Sequence, residues 1–167
     1  WSLSQLYGSS VGAITLANPG INPQNLRLGS TVNVPLPFSI VPTDIDYSSA
    51  LVEYCVRGLA ARYPFVKTGS LGNSVMGRPL WRLSLGSGEN RVFYNAAHHA
   101  NEWITTPVLL KFTEDLAKAY AAGGTISGRS AQEIFSYATV YITPLVNPDG
   151  VDLVTGDLTS GEYYQGA

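Results

Sequence analysis

Histidine, cysteine and charge are all scarce in this chain. Its 167 residues include two histidines, adjacent at His98 and His99, and one cysteine, Cys55. A single cysteine excludes an internal disulfide and says little about redox compartment. Charged residues make up 13% of the chain, ten basic against twelve acidic, for a net charge of -2. A nucleic-acid partner demands a basic face that neutralises phosphates, so that class of partner is excluded. No apolar run approaches the roughly 20 residues of a membrane helix. The opening residues also lack the basic start and apolar core of a signal peptide. The chain opens on Trp1 rather than Met, which leads us to expect an upstream piece in the parent protein. Hydrophobic residues, at 45%, suffice for the core of one or two domains.

What is present concentrates in one stretch. His98-His99-Ala100-Asn101-Glu102-Trp103 lies between an apolar strand-like run, Val92 to Ala97, and an apolar helix-like run, Ile104 to Tyr120. An imidazole and a carboxylate three residues apart at a strand end can both be turned inward by a loop. These are donors that zinc accepts in its tetrahedral shell, and a catalytic site keeps one position open for water. His-x-x-Glu alone is a common pattern. Here a strand precedes it, a helix follows it, Trp103 stands directly behind the Glu, and Asn147-Pro148-Asp149-Gly150 closes a second strand-like run. His98 and Glu102, four apart, form a rival pair. Without that context, His99 and Glu102 also read as a hydrogen-bonded pair at a helix N-terminus, where a carboxylate complements the dipole.

The combination resembles the zinc metallocarboxypeptidases of the carboxypeptidase A type. In that family the His and Glu of an H-x-x-E-W segment are two of three protein ligands, which the resemblance places on His99 and Glu102. The wider segments, Tyr94-Asn-Ala-Ala-His-His-Ala-Asn-Glu-Trp-Ile-Thr-Thr-Pro107 and Pro144-Leu-Val-Asn-Pro-Asp-Gly-Val-Asp-Leu-Val-Thr-Gly156, are similar to one bacterial branch. Its members, the γ-D-glutamyl-meso-diaminopimelate peptidases, trim the stem peptides of peptidoglycan. Digestive members usually carry Arg before the Glu; Asn101 stands there, a departure shared with the cell-wall branch. The resemblance implies one Zn2+ per site and amide hydrolysis by a water whose pKa the metal lowers. It requires a neutral His99 and an ionised Glu102, so activity should fall in acid. If strand alternation persists to residue 99, the two imidazoles point to opposite sides, which makes His98 a packing residue or a support for the site. Asn101 and Asn147 become cleft candidates, and Asp149 a carboxylate that could hold a ligand imidazole in its tautomer. Read as residues alone, Asn147 to Gly150 is a tight turn.

Residues 1–36 carry few charges. Leu3, Leu6 and Tyr7 fall at helical spacing and Gly8 stops that pattern. A second helical turn runs through Val11, Ile14 and Leu16 to Asn18, ended by Pro19-Gly20, and Thr31-Val-Asn-Val-Pro35 favours a strand. This stretch resembles a LysM domain, a small βααβ module that binds N-acetylglucosamine-containing glycans, here without its first strand. The resemblance implies a sheet edge left unpaired and a glycan wall formed by Asn18, Pro19, Gly20, Ile21 and Asn22, which on its own reads as a Pro-Asn turn. It also implies peptidoglycan as partner and an extracellular or cell-wall location in a bacterium, or a compartment of a sporulating cell.

The prolines of residues 37–46 suggest a linker, and residues 47–167 form the second unit. A helix is expected from Ser48 to Arg62, with Leu51, Cys55 and Leu59 on its apolar face and Glu53 paired with Arg57. Strands follow over Phe65–Leu71, Leu80–Leu85 and Arg91–Ala97, a helix over Ile104–Ala122, a short helix over Ser130–Phe135 and a strand over Ala138–Val146. Tyr163 and Tyr164 read as packing aromatics. The alternation predicts an α/β fold with a partly parallel mixed sheet and flanking helices. Ligands of such sheets collect at the carboxyl ends of strands, where His99 and Asn147 both fall.

The resembled family takes its third ligand, another His, from far downstream, with substrate-clamping Arg and Asn residues and a general-base Glu. The resemblance puts all of these downstream of Ala167, the last residue of the sequence, so the expectation divides. The parent protein is a peptidoglycan peptidase, while these 167 residues alone are incomplete and have little activity. A partial sheet also predicts uncovered apolar edges, and with them self-association or association with a further C-terminal segment. Two alternatives stand beside this reading: a non-catalytic cell-wall glycan-binding protein, and a related zinc deacylase or carboxypeptidase. A serine or cysteine mechanism is disfavoured, since it needs a free imidazole base and both histidines lie in the metal motif.

Overall fold

The computed structural model describes residues 2–166. Trp1, read as the start of the first helix, and Ala167, beyond which the general base and substrate-clamping Arg are expected, lie outside the described residues. Two short helices open the chain, α1 (Ser2–Tyr7) and α2 (Val11–Leu16). Gly8, at φ 64, turns the chain between them in a conformation that suits glycine. Ser10 then caps α2 by accepting the Ala13 N–H at 3.0 Å.

Thr31 to Pro35, expected as a strand, forms none. A ladder needs a facing strand, and among the described residues one side chain stands in for it. The Asn33 N–H donates to Asn18 Oδ1 at 2.8 Å, and Asn18 Nδ2 donates to the Asn33 carbonyl at 2.7 Å. A carboxamide has the same donor and acceptor as a peptide, so it satisfies this backbone on both sides.

The body begins with α3 (Ser49–Arg62), capped by Ser48. Its buried face is Val52, Cys55, Val56 and Leu59, rotated slightly from the expected face because Leu51 is only half-buried. The expected Arg57–Glu53 pair forms at 2.7 Å. Strands β1 (Lys67–Asn73), β2 (Pro79–Leu85) and β3 (Asn90–Asn95) follow, then helix α4 (Thr105–Ala122). A two-residue hairpin, β4 (Thr125–Ile126) and β5 (Arg129–Ser130), leads to α5 (Ala131–Tyr137) and β6 (Ala138–Thr143). The sheet order is β1-β2-β6-β3, with β3 and β6 parallel and the other pairs antiparallel. The fold is α/β with a mixed, partly parallel sheet, as the alternation of elements implied.

Two helices close the chain where a turn and packing aromatics were expected. Asn147 and Pro148 are not a simple turn: Asn147 is the N-cap and Pro148 the first residue of α6 (Pro148–Thr155), a place where proline's missing N–H is harmless. Helix α7 (Ser160–Gly166) starts with a reciprocal box. Glu162 Oε2 accepts the Thr159 N–H at 2.8 Å and Thr159 Oγ1 accepts the Glu162 N–H at 3.2 Å. Tyr163 and Tyr164 touch edge to face at 5.8 Å, but Tyr164 is 82% exposed and so is not a core residue.

Helices cover one face of the sheet. Leu83, Leu85, Val140 and Ile142 point there and join the buried residues of α3, Leu110, Leu116 and Ala117 of α4, Phe135 and Val151 in one core. Each Val, Leu, Ile or Phe side chain among them contributes roughly 1.5–3 kcal/mol when removed from water. Alternate residues face the other way: Arg82 lies over the Tyr141 ring at 5.6 Å, and Phe93 is exposed. β3 is a sheet edge, flanked by exposed Tyr94 and Val108. Among the described residues no helix is long and apolar enough to cross a membrane.

One carboxylate fastens residues 39–41 to the body. Glu114, on α4 and 2% exposed, accepts the Ile40 N–H at 2.6 Å and the Ser39 hydroxyl at 2.5 Å. It also accepts the Val41 N–H and lies beside Lys111 and Arg62. Burial raises its pKa, but those donors and the Lys111 charge outweigh it and hold the carboxyl below its ordinary value.

Candidate metal centre

Because β3 and β6 are parallel, their carboxyl ends lie on the same side of the sheet. The chain leaves β3 two residues earlier than the sequence suggested, at Asn95, because Ala97 turns left-handed at φ 51. That conformation is uncommon for a residue with a side chain and is held from several directions. Thr105 Oγ1 accepts the Ala97 N–H at 3.0 Å, and the Ala97 carbonyl accepts the Asn147 N–H at 3.0 Å. Strand alternation therefore does not reach residue 99.

A single helical turn, Ala100–Glu102, follows. It brings His99 Nδ1 to 3.0 Å from Glu102 Oε1, with the side chains 77% and 51% exposed. Thr105 Oγ1 donates to the Glu102 carbonyl at 2.8 Å, so one hydroxyl ties Ala97, Glu102 and the start of α4 together. His98 turns elsewhere: its Nε2 lies 2.6 Å from Asn95 Oδ1. Asn101 is exposed. Asn147 sits close by, donating through Nδ2 to the His98 carbonyl at 3.3 Å while its Oδ1 accepts the Gly150 N–H.

Residues 52–161 match the family described as zinc carboxypeptidase, and residues 1–35 match the LysM domain. The gamma-D-glutamyl-L-diamino acid endopeptidase 1 of Lysinibacillus sphaericus is 36% identical over 119 residues, which cover 71% of this chain and 30% of that protein. Bovine thrombin-activatable fibrinolysis inhibitor, solved in complex with tick carboxypeptidase inhibitor, superposes with a TM-score of 0.57 at 24% identity, covering 68% of this chain and 35% of that one. Carboxypeptidase A from Helicoverpa armigera superposes with a TM-score of 0.55 at 22% identity, covering 69% of this chain and 28% of that one. The chain belongs to the zinc carboxypeptidase family. It spans about a third of the length of such relatives and carries a LysM domain at its start.

Within this partial carboxypeptidase fold, the donors can be tested against the family's metal. Zinc bonds of about 2.0–2.1 Å at tetrahedral angles separate neighbouring donor atoms by about 3.3 Å. The 3.0 Å between His99 Nδ1 and Glu102 Oε1 is close to that, and both groups are open to solvent. They fit two corners of the shell. Among the described residues no set of three His, Cys, Asp or Glu converges.

Asp149 belongs to a different cluster. It is buried, and accepts the Ser74 hydroxyl at 2.8 Å, the Met76 N–H at 3.0 Å and Arg78 Nη1 at 3.1 Å. Arg78 Nε pairs with buried Asp152 at 2.7 Å, and Asp152 accepts the Ser49 N–H and hydroxyl. Arg78 therefore joins the β1–β2 connection, the start of α3 and helix α6. Sequence reasoning missed Asp152 and this network. Its signal was an acid inside the apolar run Val151-Asp152-Leu153, where a charge needs a partner.

In the LysM domain, Pro19, Gly20 and Asn22 are exposed or nearly so and Ile21 is half-buried. Asn18 is buried, and its side chain is occupied by Asn33 and by the Ile14 carbonyl.

Proposed function

We propose that the protein to which this chain belongs is a zinc peptidase of bacterial peptidoglycan, cutting the γ-D-glutamyl-diaminopimelate bond of stem peptides while its LysM domain holds the glycan. The His99–Glu102 pair at the carboxyl ends of β3 and β6 carries this reading, since it offers two donors at zinc-compatible spacing where sheets of this kind bind ligands. The bond assignment rests on the similarity to the Lysinibacillus endopeptidase. A bound zinc ion supplies Lewis acidity and a water of lowered pKa. The chain's own residues position that chemistry: Thr105 and the Ala97 turn fix the backbone that presents His99 and Glu102, and Asn147 holds the His98 carbonyl beside them. His98 serves as support for the turn, and Asn101, exposed on it, as a cleft residue. Asp149 acts at a distance, by fixing α6 behind Asn147. The exposed part of the 18–22 loop supplies the glycan contact, with Asn18 shaping it. Such a protein works at the cell wall, outside the cell or in a sporulating compartment.

Alone, these 167 residues offer two ligands and bind zinc weakly, with little hydrolysis; the general base and the substrate-clamping Arg belong to a segment of the parent protein downstream of Ala167. Exposed Tyr94 and Val108 beside the β3 edge favour association with such a segment or with a second copy. The test is an intact-mass and zinc analysis of the chain, alone and within the full-length protein, with hydrolysis of a γ-D-glutamyl-diaminopimelate peptide. The expected result is less than about a tenth of an equivalent of zinc for the chain alone and close to one for the full-length protein, with hydrolysis only in the second. A full-length protein that holds glycan but neither zinc nor activity would leave a glycan-binding wall protein as the better description.

A further inference from the structure

Residues 2–36 are fastened to the body rather than hung from it. Helix α2 lies across the C-terminal end of α4, and a side chain at Gly12 would collide with the Ala121 carbonyl oxygen. Ala13 and Leu16 pack against the body's core. The following segment is held as firmly: buried Glu114 of α4 binds Ser39, Ile40 and Val41, and Arg62 of α3 donates to the Phe38 carbonyl and lies over the Phe38 ring at 4.7 Å. Ile40 in turn packs directly on Gly58 of α3. A flexible tether has none of these contacts, since its backbone groups are left to water.

The metal pair sits at the other end of the same helix, joined to its first residue through Thr105. Thr105 and Ala121, where the two attachments lie, are sixteen residues apart on α4, so about 24 Å of helix separates them. We propose that α4 acts as a spacer that fixes the LysM domain and the His99–Glu102 pair about one helix length apart, and that the sugar held and the peptide cut therefore belong to different attachment points on the polymer. An extended chain covers about 3.4 Å per residue. A peptide shorter than about seven residues is, even fully extended, shorter than that separation. Glu114 and Gly12 are the positioning residues, and the consequence for substrate choice rests on the function proposed above.

Two measurements on the full-length protein test this separately. Nitroxide labels at exposed Gln24→Cys and Glu133→Cys, with Cys55 buried and left alone, report the distance between the domain and the body by pulsed electron resonance. One narrow distance distribution is expected, broadened by Gly12→Leu and by Glu114→Gln in proteins whose circular dichroism stays native. A broad distribution in the labelled protein without those changes would overturn the spacer. The second measurement compares cleavage of peptides on long glycan strands with cleavage of the same peptide on a single N-acetylated disaccharide. At least a tenfold preference for the polymer is expected, reduced several-fold by Glu114→Gln while the rate on the disaccharide is unchanged. Equal rates on the two substrates would overturn the claim about attachment points. Failure to cut either would count against the proposed activity, and the label distances would still decide the spacer.

Discussion

The acidic groups of this chain occupy two kinds of place. Asp149, Asp152 and Glu114 are buried and accept two or more hydrogen bonds each from groups on other elements. Glu102 is half-exposed and meets one imidazole from its own turn. A buried carboxylate without partners is costly, so the first three are tied to the fold, with both oxygens of each already engaged. The fold gains little from Glu102, whose free oxygen remains available. Burial together with engagement thus separates these three carboxylates, which hold the fold, from Glu102, the carboxylate proposed above to bind metal.

The sharpest way to break this contrast is at Arg78. Its guanidinium neutralises Asp149 and Asp152 together. Arg78→Ala leaves two buried acids without a cation, and removing one partner of a buried pair costs about 3–5 kcal/mol. Urea melts at pH 7 should show a loss of that order. A loss below about 1 kcal/mol would mean that the cluster is solvated in solution and that its burial carries no energetic weight.

Glu114 gives the next effect. Its Ala variant leaves the Ile40 and Val41 N–H groups without their carboxylate acceptor, at about 1–3 kcal/mol for a buried group. The pH dependence sharpens the assignment. Its folded pKa is lowered, so its stabilisation is complete above the unfolded value, and is lost as pH falls through the lower folded value. Glu114→Gln removes that slope. The stability difference between the unmodified chain and this variant should be largest near neutral pH and shrink as acid is added below the ordinary carboxylate range. A constant difference across that range would show that the Glu114 contacts do not depend on charge.

How much of this was open to reading depended on the range of the interaction. The Ser48 cap, the period of α3 and the Val92–Ala97 run are local signals, and the corresponding elements formed. Asn147-Pro148 was also local but ambiguous, since a turn and a helix start use the same residues, and the structure resolves it through the Gly150 N–H on Asn147. The Thr159–Glu162 box was readable as a helix start and went unread. Ala97's left-handed turn had no signal at all, because alanine rarely adopts it and the Thr105 and Asn147 bonds that hold it come from distant residues. The His99–Glu102 motif was legible, but its geometry was not. Glu114 had one overlooked sign: it lies on the stripe Leu110, Glu114, Ala117, Ala121, an acid on the apolar face of α4. Its partners, over 70 residues earlier in the chain, could not be inferred from that spacing.

The smallest stability effect is expected at the proposed metal pair, and it completes the contrast. His99 and Glu102 are exposed and touch mainly each other, and exposed pairs of this kind contribute about 0–1 kcal/mol. His99→Ala and Glu102→Ala should each leave the urea midpoint of the chain almost unmoved, within about 0.5 kcal/mol. Zinc affinity is the opposite case. If the pair binds metal as proposed, loss of either donor in the full-length protein removes one of the few ligands that set the shell, and zinc retention on dialysis should fall at least tenfold. A large loss of stability in the metal-free chain with zinc retention intact would reverse the argument: the pair would then be a helix cap, and the donors would have to be sought elsewhere in the parent protein.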